Sequence, residues 1–172
     1  MANRIRLMML CCMLILMYSC DKLLEDEPFS LKKGDYNGYE IKTAGYFYKY
    51  MNEIDSYSII VFYRNGIVYN QFSVDSLEAF ENQIQSGNYT SDYKWSWGLF
   101  TVDPTGLRVE NLLGMGGLHF IAYTDYGNII NDSTIHFYKH KESWSDVSEA
   151  IDDTFHFKVF SPKPDSINNY LP

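Results

Sequence analysis

Tyr57-Ser58-Ile59-Ile60-Val61-Phe62-Tyr63-Arg64-Asn65-Gly66-Ile67-Val68-Tyr69-Asn70-Gln71-Phe72 is the stretch that decides the fold class. Two runs rich in β-branched and aromatic residues flank Asn65-Gly66, a pair that tolerates the positive φ of a type I′ turn. The segments 57–63 and 67–72 are therefore expected to pair as a β-hairpin. Side chains alternate across a strand, so Ile60 and Phe62 face one way and Ile59 and Val61 the other. The first strand of this hairpin is apolar on both faces, and each face needs a cover.

The same period of two extends in both directions. Tyr46, Tyr48 and Tyr50 alternate with Phe47 and Lys49 in an earlier strand. One helix interrupts the pattern after the hairpin. Asp75 is placed to accept from the orphan amides that follow, Glu78 lies three residues on as in a capping box, Leu77, Phe80 and Ile84 share a face, and Gly87 ends the element. The helix is expected to plug or flank a sheet through that stripe. Strands resume at Trp95 to Val102, and Asp103-Pro104-Thr105-Gly106 has the Pro and Gly placement of a tight turn into Leu107 to Leu112. Leu118 to Ile130 reads as a long strand bulged near Gly127, and Asn131-Asp132 turns it into Ser133 to His140. A loop or short helix over Trp144 to Ile151 leads to a last strand, Thr154 to Phe160, before Pro162 and Pro164 stop regular pairing and leave a polar tail. The expectation is an all-β fold with one helix: eight strands in an antiparallel up-and-down meander, as a small eight-stranded barrel or a partly open one.

At the N-terminus, Arg4 and Arg6 precede an unbroken apolar run from Leu7 to Met17, eleven residues long and too short to span a bilayer as a helix. This is the pattern of a signal peptide. Met17-Tyr18-Ser19-Cys20 then resembles a bacterial lipobox, in which a small residue precedes the cysteine. The resemblance implies cleavage before Cys20, a diacylglyceryl group on its thiol and acylation of the new amine. Cys11 and Cys12 lie inside the run that would be removed, so the mature domain has neither a free thiol nor a disulfide. The expected organisation is a lipoprotein signal over 1–19, an acylated Cys20 with an acidic tether over 20–35, and one β-rich domain over 36–172. The 172 residues, 46% apolar and 21% charged, suit a single domain. Without the signal, 12 basic residues face 22 acidic ones, a net charge of −10 that disfavours nucleic acid as a ligand. Asp21, Glu25, Asp26 and Glu27 crowd the tether. They resemble surface-export signals of some Gram-negative lipoproteins, whereas an acid directly after the cysteine resembles an inner-membrane retention mark in others, and a plain acidic spacer is the third reading. The outer membrane is the favoured location, with the membrane reached through the lipid on Cys20.

Trp97-Gly98-Leu99-Phe100, the strand pair around Asp103-Pro104-Thr105-Gly106, and Gly127 to Phe137 resemble the meander of small lipocalin-like bacterial lipoproteins over about half the chain. The resemblance implies a small barrel and carries over no ligand residues. The helix before the fourth strand is an addition that a plain meander of this kind does not require.

Tyr93, Trp95 and Trp97 are the candidate ligand residues. At i, i+2 and i+4 they would project from one sheet face, either as a sugar-stacking platform or, with Leu99, as core. His136 and His156 are expected to point away from the core, and His136 and His140 to share a face roughly 13 Å apart, too far for one metal ion. Gly114-Met115-Gly116-Gly117 lacks the Lys-Ser/Thr of a phosphate loop, and Asp152-Asp153 lacks calcium-loop spacing. No nucleophile elbow, zinc-protease helix or dinucleotide fingerprint occurs, and no motif calls for a cofactor. Carboxylates brought together only in space stay invisible at this level. The leading expectation is therefore a lipid-anchored envelope protein that binds a small hydrophobic ligand or a glycan without catalysis. A subunit of a surface protein assembly and a carboxylate-based hydrolase are the alternatives.

Overall fold

The computed structural model describes residue 26 and residues 28–89, 93–115, 119–145 and 147–171. The expected signal segment, Cys20 and the remaining acidic residues of the tether lie outside them. Eight strands run in chain order: β1 (Gly45–Met51), β2 (Ser56–Phe62), β3 (Ile67–Val74), β4 (Trp97–Asp103), β5 (Gly106–Met115), β6 (His119–Asn131), β7 (Thr134–Glu142) and β8 (Ser148–Val159). Each pairs antiparallel with the next, and β8 returns to β1 with Gly45 opposite Val159 and Tyr48 opposite His156. The sheet is a closed barrel of lipocalin-like up-and-down topology.

Three local expectations are corrected. The β2–β3 turn has three residues, Arg64-Asn65-Gly66, with the Tyr63 N–H donating to the Ile67 carbonyl at 3.0 Å and the Gly66 N–H to the Tyr63 carbonyl at 3.2 Å. Gly66 alone takes a positive φ, +77°, so the connection is a type I turn with a glycine bulge instead of a type I′ turn. Glycine is required there for a second reason: a Cβ would lie 2.3 Å from the carbonyl oxygen of Gly34. The helix, α1 (Leu77–Ser86), is capped by Ser76 and not Asp75, because the Ser76 hydroxyl accepts from the Ala79 N–H at 3.0 Å. Gly87, at φ +74°, ends it as expected. Finally, Ser148 to Ile151 belong to β8 and not to a loop or helix, since β7 runs on to Glu142 and offers them partners, with Lys141 opposite Ser148. A register shift lies between Tyr126 and Gly127, at the expected place, but the extra residue is Tyr138 of β7 and not a residue of β6.

The two apolar faces of β2 feed two separate cores. Ile60 and Phe62 point into the barrel with Phe47, Val68, Phe100 and Ile135. Ile59 and Val61 point outward with Tyr69, Trp97 and Leu99, and Phe80 and Ile84 of α1 cover them. Phe160, Tyr170 and Leu171 from the C-terminal tail and Phe29 and Leu31 from the N-terminal segment complete that outer core. The tail is also fastened by the Tyr63 hydroxyl, which donates to the Pro164 carbonyl at 2.8 Å.

The segment before β1, read from sequence as a solvated spacer up to residue 35, packs along the outside of the barrel. Its fastening is Glu110, only 2% exposed on the outer face of β5. The carboxylate accepts from the Ser30 N–H at 2.9 Å and the Leu31 N–H at 2.7 Å. Further along, Tyr36 and Ile41 turn in to pack against the interior core and stopper one end of the barrel. Replacing Glu110 by Gln would put an amide N–H₂ against one of two backbone donors and leave a buried group unpaired. Glu110→Gln is expected to lower unfolding stability by about 2 to 3 kcal/mol. Denaturant titration checks the loss, and protease cleavage within 28–35 ahead of global unfolding checks that the strap has been released.

Candidate functional site

In an up-and-down barrel successive connections alternate between the two ends. The β2–β3, β4–β5 and β6–β7 turns share the end stoppered by Tyr36 and Ile41. The β1–β2, β3–β4, β5–β6 and β7–β8 connections surround the other end, the mouth. Interior side chains are apolar near the stopper and become polar toward the mouth. There Asn70 donates to the Asn111 side-chain oxygen at 2.6 Å, and Lys49 forms an ion pair with Asp153. Gly98 sits opposite Asn111, where a Cβ would come within 2.1 Å of the Asn111 side-chain oxygen, so the amide pair needs that glycine. Tyr123 is buried beside them, and burial keeps its hydroxyl neutral by pushing its pKa far upward, against a hydrogen bond from Asn111. A ring nitrogen of His140 lies 2.7 Å from the Asp125 carboxylate.

Beside them is a recess of about 80 Å³ lined by Lys49, Ser58, Asn70, Asn111, Asp125 and Asp153, with Phe137 and Phe155 at its apolar side. At roughly 30 Å³ per water molecule it has room for a small polar substituent and none for a sugar ring or acyl chain. Ser58 is 2% exposed and its hydroxyl, facing this recess, has no hydrogen-bond partner among the described residues. Leaving such a group unsatisfied costs on the order of 1 to 3 kcal/mol. Asn70 and Phe72 are shared with an adjoining open groove of about 450 Å³, whose other walls include Ser73, Tyr93, Trp95 and Ser96. Ser73 holds φ at +57°, a strained value for a residue with a Cβ, at the edge of this groove. A larger hollow, about 860 Å³, lies outside the barrel between the N-terminal segment and Leu112, Lys94 and Tyr170. Its walls mix the charged residues Asp26, Lys32, Lys33, Asp35 and Lys94 with apolar Phe29 and Leu31.

The three aromatic candidates divide. Residues Lys94–Ser96 form one turn of 3₁₀ helix and not strand, so the assumed alternation fails before β4 begins. Trp97 is fully buried in the outer core. Tyr93 and Trp95 stack in parallel, with ring centroids 4.5 Å apart and planes at 11°, and are 47% and 45% exposed beside the mouth. The histidines divide as well. A bulge between Phe137 and Lys139 breaks the alternation along β7, so His136 and His140 do not share a face. His140 joins the mouth, while His136 lies 2.9 Å from the exposed Asp152. Among the described residues no group of three or more His, Cys, Asp and Glu side chains is arranged to hold a metal ion. The glycine-rich stretch 114–117 lies partly outside the described residues.

The functional residues missed from sequence are Ser58, Asn70, Asn111, Asp125 and His140. For Ser58, Asn70, Asn111 and Asp125 the available signal was parity with apolar inward neighbours, whereas His140 turns inward only through the bulge at Tyr138 and carries no such signal. The hydrogen bond to Asp125 raises the His140 pKa above its ordinary 6.5, and burial pushes the Asp125 carboxyl upward against the pull of His140. Both shifts mean that the folded state holds protons more tightly than the unfolded chain. The His140 contribution is fully present below about pH 6.5 and is lost as pH rises through its higher folded value, and the Asp125 contribution is lost the same way across the carboxylate range. Asp125→Asn removes the largest cause of the His140 shift and is expected to shrink the fall in stability above pH 6.5, read as denaturant midpoints on either side of the histidine range.

Compared with known proteins, the chain matches no protein-family model, no curated protein and no solved structure.

Proposed function

We propose that this chain is a lipid-anchored cell-envelope protein, held in the outer membrane through Cys20, that binds a saccharide at the mouth of its barrel without catalysing a reaction on it. The observation that carries this reading is the junction of two surfaces at Asn70 and Phe72. On one side stands an exposed aromatic ledge, on the other a recess of mixed donors and acceptors with an unpaired hydroxyl. Aromatic rings offer flat apolar faces to the C–H side of a pyranose, and a closely spaced Asn, Ser, Lys and Asp set suits neutral hydroxyls that both donate and accept. A small hydrophobic ligand taken inside the barrel fits less well, because aromatic and aliphatic side chains fill the apolar half of the interior.

The hydrolase alternative has one observation in its favour, since Asp125 and Asp153 line the same recess. Each already has a partner, His140 and Lys49 respectively, and the recess is too small to admit a sugar ring between them. Binding is therefore the better supported role.

The test is intrinsic tryptophan fluorescence during titration with a panel of envelope and host saccharides. A binding saccharide is expected to perturb Trp95 emission saturably. Trp95→Ala is expected to weaken the same titration, followed by calorimetry, by about 1.4 kcal/mol, a tenfold loss of affinity. No saturable response to any saccharide, in either fluorescence or calorimetry, would sink the proposal.

A further inference from the structure

The four connections around the mouth share a property that the turns at the stoppered end lack. Ile54 lies between β1 and β2, Phe72 and Trp95 lie where the chain leaves β3 and enters β4, Leu113 precedes the β5–β6 turn, and Trp144 and Val147 lie between β7 and β8. All six are exposed. Every loop at this end thus presents an apolar or aromatic side chain to its surroundings. At the other end the turns are Arg64-Asn65-Gly66, Asp103-Pro104-Thr105-Gly106 and Asn131-Asp132-Ser133, which are polar and carry formal charge. Exposed apolar residues at this end, Tyr39, Ile130, Val159 and Ile167, lie on strand ends and in the terminal segments and not in the turns themselves. A ring of Trp, Phe and aliphatic side chains carried by every connection of one rim, opposite turns that carry none, is the distribution found where a protein meets the interfacial zone of a bilayer.

The path of the N-terminal segment specifies which surface this rim would meet. From the stopper at Tyr36 the chain runs back along the outside of β5, held at Leu31 and Ser30 by Glu110. It reaches the mouth at Asp26, which accepts from the Phe120 N–H at 2.8 Å and pairs with Lys94. Phe120 opens β6 and Lys94 precedes β4, so both belong to the mouth end. Six residue steps separate Asp26 from Cys20, a reach of at most about 20 Å when fully extended. An acyl chain on Cys20 would therefore enter the membrane close to the apolar rim, with the stoppered pole away from it.

We infer that the barrel stands mouth-down on the bilayer that carries its own acyl chains, with the rim loops seated among the lipid headgroups. This inference rests on the lipid anchor proposed above. In that posture the groove and recess face the membrane surface, and the saccharide they receive is one borne on a lipid.

The test uses the acylated chain reconstituted in vesicles of phosphatidylethanolamine and phosphatidylglycerol. With Cys20 acylated and the mature domain otherwise free of cysteine, single substitutions accept an environment-sensitive fluorophore at defined places. Ile54→Cys and Val147→Cys report on the rim and Ile130→Cys on the opposite pole. The rim labels are expected to shift to the blue and to be quenched by brominated lipid, and the Ile130 label to show neither effect. Equal responses at the two poles, or stronger quenching at Ile130, would overturn the orientation while leaving the anchor intact. Mass measurement of the purified protein reads the anchor separately, and a chain without acyl groups would remove the anchor and the orientation together. Thermal unfolding of each labelled variant confirms that the barrel has folded.

Discussion

The pairing of Gly45–Tyr48 with His156–Val159 is the constraint on which the other features depend, because it turns an open meander into a closed wall. Closure satisfies the edge hydrogen bonds and fixes an interior volume that side chains must fill. Toward the stopper that interior is filled with Phe, Val, Ile and Leu side chains, which stabilise the wall. The part toward the mouth is then available for groups that a packed core would not tolerate. Lys49, Asn70, Asn111, Asp125, His140 and Asp153 stand there in pairs, each partly compensating the desolvation of the next. A barrel that needed only to be stable would extend the apolar filling to the mouth, since well-packed hydrophobic side chains of similar volume usually serve stability as well or better.

Closure also explains the second core. Once β2 is in the wall, Ile59 and Val61 face out and cannot be rescued by the interior. Helix α1, the C-terminal tail and the strap around Phe29 and Leu31 cover them in turn. The Tyr46 hydroxyl donates to Glu81 at 2.6 Å and Lys158 pairs with the same carboxylate, so α1 is bound to both β1 and β8 at the seam. The helix that looked from sequence like an insertion into a simple meander is thus part of what holds the seam closed.

Most of the wall was legible from local pattern. Alternation over 57–72 and the Pro and Gly placement in Asp103-Pro104-Thr105-Gly106 act within a few residues, and periodicity reports such effects. The misreadings occurred where a distant contact or one residue of phase decided the outcome. Ser76 supplanted Asp75 as cap by a single position. The strap reads as a solvated spacer in sequence because its fastening, Glu110, lies 79 residues from Leu31. Trp97 and the Tyr93–Trp95 pair were placed on one face because a single 3₁₀ turn, Lys94–Ser96, carries no distinct sequence signature at this length. The polar half of the interior was hidden for a related reason: Asp125 and His140 look like ordinary charged strand residues until the register sets them opposite each other.

Register, not proximity in sequence, is therefore what assembles the mouth. Asp125 meets His140 only because β6 and β7 pair through a shifted register at Tyr126 and Gly127, and the second shift between Phe137 and Lys139 lets β7 turn from apolar Phe137 to polar His140 on the inward side. Without either bulge the inward alternation would continue unbroken from the stopper to the rim. A bulge costs ladder hydrogen bonds and leaves a residue unpaired, so shifts at the same place in the β6–β7 and β7–β8 pairs, at the transition from apolar filling to polar lining, connect backbone irregularity directly to the chemistry of the recess. Ser73, strained at the groove edge, and Gly98, cleared of a side chain opposite Asn111, complete the same pattern on β3 and β4. Ser73 and Gly98 thus stand at the end where the Ser58 hydroxyl, unpaired among the described residues, and the exposed aromatic ledge meet.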